Sequence, residues 1–178
     1  MKKIIALMLA AVLALVCVSA LAGNSKNNNN MNYGSTSEEE GDNAVALEKT
    51  EPTDDLQKII DDVTEAGKDG GDATTGLPEE GVQLVPEDRK TINEMDCYHL
   101  TGDPSGLDEL ELIFTFATPF AEGEEVPVLF MISPAEGPVE WLRLMGVGNA
   151  DGAVVVKVTK AELAKISNNP FLVMPLSK

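Results

Sequence analysis

From Val82 to Leu176 short apolar runs are punctuated by clusters of Gly, Pro, Asn and Asp, and this pattern constrains the fold more than any other feature of the chain. Such runs, rich in Val, Ile, Leu and Phe, read as strands, and the clusters between them read as turns. The expected strands are Val82–Val85, Met95–Leu100, Leu110–Phe116, Val126–Ser133, Val139–Met145, Ala153–Thr159 and Pro170–Leu176. Leu110, Leu112, Phe114 and Phe116 alternate with Glu111, Ile113 and Thr115, the pattern of a half-buried strand. Val126 to Ile132 is apolar at nearly every position, which places it centrally with both faces covered. In Asn149-Ala150-Asp151-Gly152 the Asp-Gly step favours the positive φ values of a hairpin turn. Thr159-Lys160-Ala161-Glu162 is a capping box, and it predicts a helix from about Lys160 to Ser167, ended by Asn168, Asn169 and Pro170. No long helix alternates with the strands, so a parallel α/β fold is disfavoured. The expectation is a mainly β domain over 82–178. Its form is a small antiparallel immunoglobulin-like β-sandwich with one short helix near the C-terminus, and a small open barrel is the competing architecture.

The chain ahead of this domain changes character several times. Lys2 and Lys3, the apolar run from Ile4, and Ala20-Leu21-Ala22 make residues 1–22 an export signal with Gly23 as the first mature residue. Two alternatives stay open. An uncleaved anchor is one, because the run approaches the roughly 20 apolar residues that span a bilayer; a lipid on Cys17 is the other. Residues 23–52 hold four consecutive asparagines and the block Glu38-Glu39-Glu40, a composition that reads as a disordered acidic tether. Over 53–67, Leu56, Ile59, Ile60 and Val63 recur at helical spacing behind the capping residue Thr53, predicting an amphipathic helix. Residues 68–81, with Gly70, Gly71, Gly76, Pro78 and Gly81, read as a linker.

Charge narrows the partners. Carboxylates outnumber basic side chains 30 to 13, a net charge of −17, and the excess is present in both halves of the chain. Such a field repels nucleic acid and anionic membranes, so neither is an expected partner. After signal cleavage no membrane insertion is expected either. An unknown protein or glycan is the expected partner, and cationic partners and Ca²⁺ remain compatible with the charge.

Candidates for chemistry are few. Once the signal leaves, Cys97 is the remaining cysteine, and His99 is the single histidine of the chain. Period-2 geometry puts them on one strand face, the minimum for a thiol and its base. A small buried hydrophobe is the commoner role for such a cysteine, and two ligands cannot complete a zinc site. Asp103 and Asp108, in the loop around Gly102-Asp103-Pro104-Ser105-Gly106, are candidate ligand-binding carboxylates with the oxygen chemistry that Ca²⁺ prefers. Their spacing matches no EF-hand loop, and a solvated acidic loop is the plainer reading. Trp141 is the single tryptophan, a candidate for stacking on a sugar or anchoring a partner, with core packing favoured. There is no Gly-x-Ser-x-Gly elbow, phosphate loop or dinucleotide fingerprint. No catalytic residue, metal site or cofactor is therefore expected.

The opening Lys2-Lys3-Ile4-Ile5-Ala6-Leu7, the stretch Gly123 to Leu129, the Val139-Glu140-Trp141 strand and the Asp151-Gly152 hairpin carry a resemblance. Together they resemble secreted or surface proteins of gut Gram-positive anaerobes that end in a small immunoglobulin-like sandwich. The resemblance implies an adhesion or spacer unit and brings no functional residues with it. The expected function is a non-catalytic secreted or cell-surface binding or structural module. The alternatives are a small extracellular hydrolase or carbohydrate-processing domain, or an acidic partner or inhibitor of a cationic protein.

Overall fold

The computed structural model describes residues 45–178; the export signal and all but the end of the expected tether lie outside the described residues. The described chain is mainly β and antiparallel. Its strands are β1 (Ala46–Lys49), β2 (Thr91–Ile92), β3 (Asp96–Thr101), β4 (Glu109–Phe114), β5 (Glu125–Ile132), β6 (Glu140–Gly148), β7 (Val154–Thr159) and β8 (Phe171–Ser177). They join in one hydrogen-bonded path, β1-β3-β8-β5-β6-β7-β4, with β2 pairing onto β8. The helices are α1 (Asp54–Ala66), α2 (Glu79–Val82) and α3 (Lys160–Ile166).

One face of this path closes on itself. Tyr98 of β3, near one end of the path, meets Phe114 of β4, at the other, with ring centroids 5.3 Å apart in an edge-on contact. Phe114 in turn meets Phe130 of β5 at 5.8 Å, and Phe130 meets Phe171 of β8 at 5.8 Å. Edge-on aromatic contacts pair the positive rim of one ring with the negative face of the next, so they add to plain burial. Leu163 and Ile166 of α3 close into the same cluster. The capping box is formed as expected: Thr159 N–H and Oγ both donate to the Glu162 carboxylate, at 2.7 and 2.8 Å. Asn168 leaves the helix at φ 63°, a left-handed conformation that asparagine tolerates.

The opposite face carries a second apolar layer. Cys97, Leu129, Met131, Leu172 and Met174 pack beneath Leu56, Ile59 and Val63 of α1. Strands β5 and β8 are thus covered on both faces, which is why their sequences run apolar without alternation.

This second layer corrects the expected domain boundaries. The expected tether over 23–52 ends in a strand: β1 pairs with β3, Leu47 opposite Leu100 and Glu48 opposite His99. The expected helix over 53–67 is α1, and it docks on the sheet. The expected linker over 68–81 folds into two 3₁₀ turns, Lys68–Gly70 and Ala73–Gly76, followed by α2. Val82–Val85, expected as a strand, is instead the end of α2 and the turn after it, with Leu84 N–H bonded to the Gly81 carbonyl at 3.0 Å. The ordered unit begins by Val45, well before Val82. The physical reason is one of need: β8, β5 and the Cys97 row are apolar on their outer side, and only α1 and the turns behind it can cover them.

Candidate functional site

The Cys97–His99 pair is the first candidate to test against geometry. Both lie on the outer face of β3, as period 2 requires, but their surroundings differ. Cys97 is buried in the apolar layer under α1. Burial pushes its thiol up from the ordinary 9.0 to about 11; the Tyr98 backbone N–H opposes this and the Asp96 carboxylate reinforces it. A thiol in that setting holds its proton at neutral pH and is a poor nucleophile. His99 Nε2 stands 3.6 Å from the Glu48 carboxylate across the β1–β3 ladder. Its Nδ1 is buried without a hydrogen-bond partner among the described residues, so no hydrogen bond links the ring to Cys97. The arrangement supplies neither a thiolate nor a base aimed at one.

The carboxylates of the β3–β4 loop have local structural uses. Asp103 caps the 3₁₀ turn Pro104–Gly106, accepting the Ser105 N–H at 2.9 Å. That bond to the charged form draws its carboxyl below the ordinary range. Asp108 is almost fully exposed, 3.9 Å from Lys160 Nζ, while its backbone carbonyl receives the first N–H of α3 at 2.8 Å. Among the described residues no group of three or more His, Cys, Asp or Glu side chains converges to hold a metal ion. Asn149 is likewise a turn residue: its side-chain oxygen accepts the N–H groups of Asp151 and Ala153 at 3.0 and 2.9 Å.

Trp141 lies outside the main core. On β6 it sits opposite Met131, half-buried on the outer face, and the Gly81 backbone presses against its ring. A β-carbon on Gly81 would approach within 3.0 Å of the ring carbons, so only glycine fits there without a shift. Trp141 is where the α1–α2 cover ends.

Beyond Trp141 the outer face is open. The odd residues of β6 continue through Arg143, Met145 and Val147, and the register carries the row on to Val155 of β7 and Ile113 of β4. Met145 is 53% exposed and Val147 44%, the two most exposed large apolar side chains of the described strands. Val82, at the end of the cover, is 43% exposed. Part of this sheet face is therefore buried under a helix, and the rest presents Met145 and Val147 to solvent beside Arg143 and the Lys157–Glu111 ion pair.

The backbone is also open here. Strand β6 pairs with β5 over its whole length up to Val147, but with β7 only through Gly146, Val147 and Gly148. Beyond that point β7 follows β4, six residues to six, and parts from β6. Gly146 marks the parting point, where a β-carbon would lie 2.3 Å from Val154 Cγ1. From Trp141 to Met145 the edge of β6 facing away from β5 has no ladder partner among the described residues.

Sequence reasoning named Trp141 but missed Arg143, Met145 and Val147. A signal was present: Trp141, Arg143, Met145 and Val147 share one face by period 2, and that face mixes apolar bulk with charge. Among the described residues no helix is long and apolar enough to cross a membrane. Comparison with family models, with curated proteins and with solved structures finds no match to this chain.

Proposed function

We propose that this chain is a non-catalytic binding module working outside the cytoplasm, and that its contact face is the open part of the outer sheet surface. The observation that carries this reading is the contrast across β6. Leu129 and Met131 of the neighbouring strand are at most 3% exposed beneath α1, whereas Met145 is 53% exposed on the same sheet face. Apolar surface left uncovered beside a layer built to cover its neighbours is the mark of an interaction site. The quenched Cys97 thiol supports the non-catalytic part, and the export pattern of residues 1–22 supports the location. The parting of β6 from β7 favours a two-layer sandwich, one layer ending at β6 and the other made of β7 and β4.

The test compares two double variants of the exported protein. Met145→Ser with Val147→Ser should abolish retention on the producing cell surface or on its partner while leaving the fold intact. Cys97→Ala with His99→Ala should keep that binding and should remove no activity detectable in a broad hydrolase screen. The opposite pattern, an activity lost with Cys97 and His99 and binding indifferent to Met145 and Val147, would overturn the proposal and favour the extracellular hydrolase reading.

A further inference from the structure

The open stretch of β6 has a backbone edge as well as a face, and the two together specify an occupant. Strand edges are usually blunted with charge. The two ends of the sheet follow that rule: β1 carries Glu48 and Lys49, and β4 carries Glu109 and Glu111. The Trp141–Met145 edge is less charged, for its outward row sets a single charge, Arg143, between two apolar side chains, Trp141 and Met145. Its inward side chains, Leu142 and Leu144, are only partly buried against the core.

Arg143 is unusual within so acidic a chain. Arg89 and Lys157 each hold a carboxylate at 3.3 Å, as most of the described cations do within 4 Å. Arg143 has no carboxylate in that range among the described residues; its Nη1 donates to the Leu84 carbonyl at 3.0 Å, which fixes the guanidinium at the rim of the open face. A guanidinium so held keeps donors free for a bidentate carboxylate.

We infer that the Trp141–Met145 edge of β6 accepts an extended polypeptide by strand addition, and that the incoming segment carries a carboxylate opposite Arg143 between two apolar side chains. In such pairing, main-chain bonds supply affinity and alternate side chains supply selectivity. Residues directly opposite share a sheet face, so the side chain facing Arg143 is acidic and those two positions to either side face Trp141 and Met145. The recognised pattern is apolar-x-acidic-x-apolar. This rests on the proposed binding role of the open face and adds its mode and chemistry. A second copy of the chain is a poor occupant, because every copy carries the same large negative charge.

Two heptapeptides with blocked ends test it on the full mature chain: Ser-Val-Thr-Glu-Thr-Val-Ser, and the same peptide with Lys in place of Glu. Backbone amide shifts are followed by NMR to about 1 mM peptide. The Glu peptide should perturb Trp141–Met145 and bind roughly five-fold tighter than the Lys peptide, the scale of a cross-strand charge pair against its like-charged opposite. Arg143→Glu should reverse that order, and Arg143→Gln should erase it; thermal melting of each variant confirms that it is folded. Equal binding of both peptides, no reversal in Arg143→Glu, shifts centred on Glu109–Phe114, or no shift at all with either peptide would each overturn the inference. So would dimerisation through β6 in the absence of peptide. None of these failures depends on the Met145 and Val147 variants, whose result judges the open face by itself.

Discussion

Replacing Leu56 with alanine asks whether α1 belongs to the cooperative fold. Leu56 is 0% exposed, and with Ile59 (7%) and Val63 (1%) it forms the stripe that α1 lays on the sheet. A helix of 13 residues is marginal alone in water, so its stability comes from this contact. Each fully buried aliphatic of this size stabilises by about 1.5–3 kcal/mol. Truncating Leu56 also leaves a cavity in the apolar layer beneath α1, so the expected loss is about 3 kcal/mol. Domains of this size have only about 5–15 kcal/mol in total, and the midpoint should therefore fall by about 10 °C. Lys58→Ala serves as the control, because its 3.7 Å pair with Asp62 is solvent-exposed and worth less than about 0.5 kcal/mol. The assay is thermal or urea unfolding by circular dichroism, joined to limited proteolysis of the parent. The resistant fragment should begin near Val45. A Leu56→Ala protein that melts with the parent, or a stable fragment starting near Val82, would refute a docked α1.

The packing sets three further outcomes. Gly146→Ala should destabilise by about 1–3 kcal/mol in chemical denaturation, since the new methyl would meet two stiff β-branched side chains, Val154 at 2.3 Å and Val156 at 3.1 Å. Gly106→Ala, with nothing within 4 Å of the added carbon, should stay within about 0.5 kcal/mol of the parent. The Cys97 thiol is raised in the folded state from 9.0 to about 11, so the unfolded chain ionises first. The stability tied to that proton is complete below pH 9 and is lost as pH rises towards 11. Denaturation midpoints measured across pH 8 to 11 should fall less steeply in Cys97→Ala than in the parent, and identical slopes would contradict the burial argument.

Much of the fold was legible from local chemistry. The capping box at Thr159, the Asn149 hairpin and the alternation of Leu110, Leu112 and Phe114 each satisfy their own hydrogen bonds or bury their own face within a few residues. Such signals do not wait on the rest of the chain. The amphipathic stripe of α1 was equally visible, as was the doubly covered character of Val126 to Ile132.

What the sequence could not decide was which surface needed which cover. Ala46–Lys49 is too short and too charged to announce a strand; it became one because β3 offered an unpaired ladder and the core had room for Leu47. The glycines and Pro78 of 68–81 read as linker, and they are instead the tight turns that carry the chain over the Cys97 layer. For function the division is the same. Residue types alone left Cys97 beside its one possible base, His99, and only the packing buried the thiol under the helix and left the imidazole unbonded to it. The exposure of Met145 and the free edge beside Arg143 depend on where α1 stops and where β7 leaves β6, and those are long-range packing outcomes that no local pattern encodes.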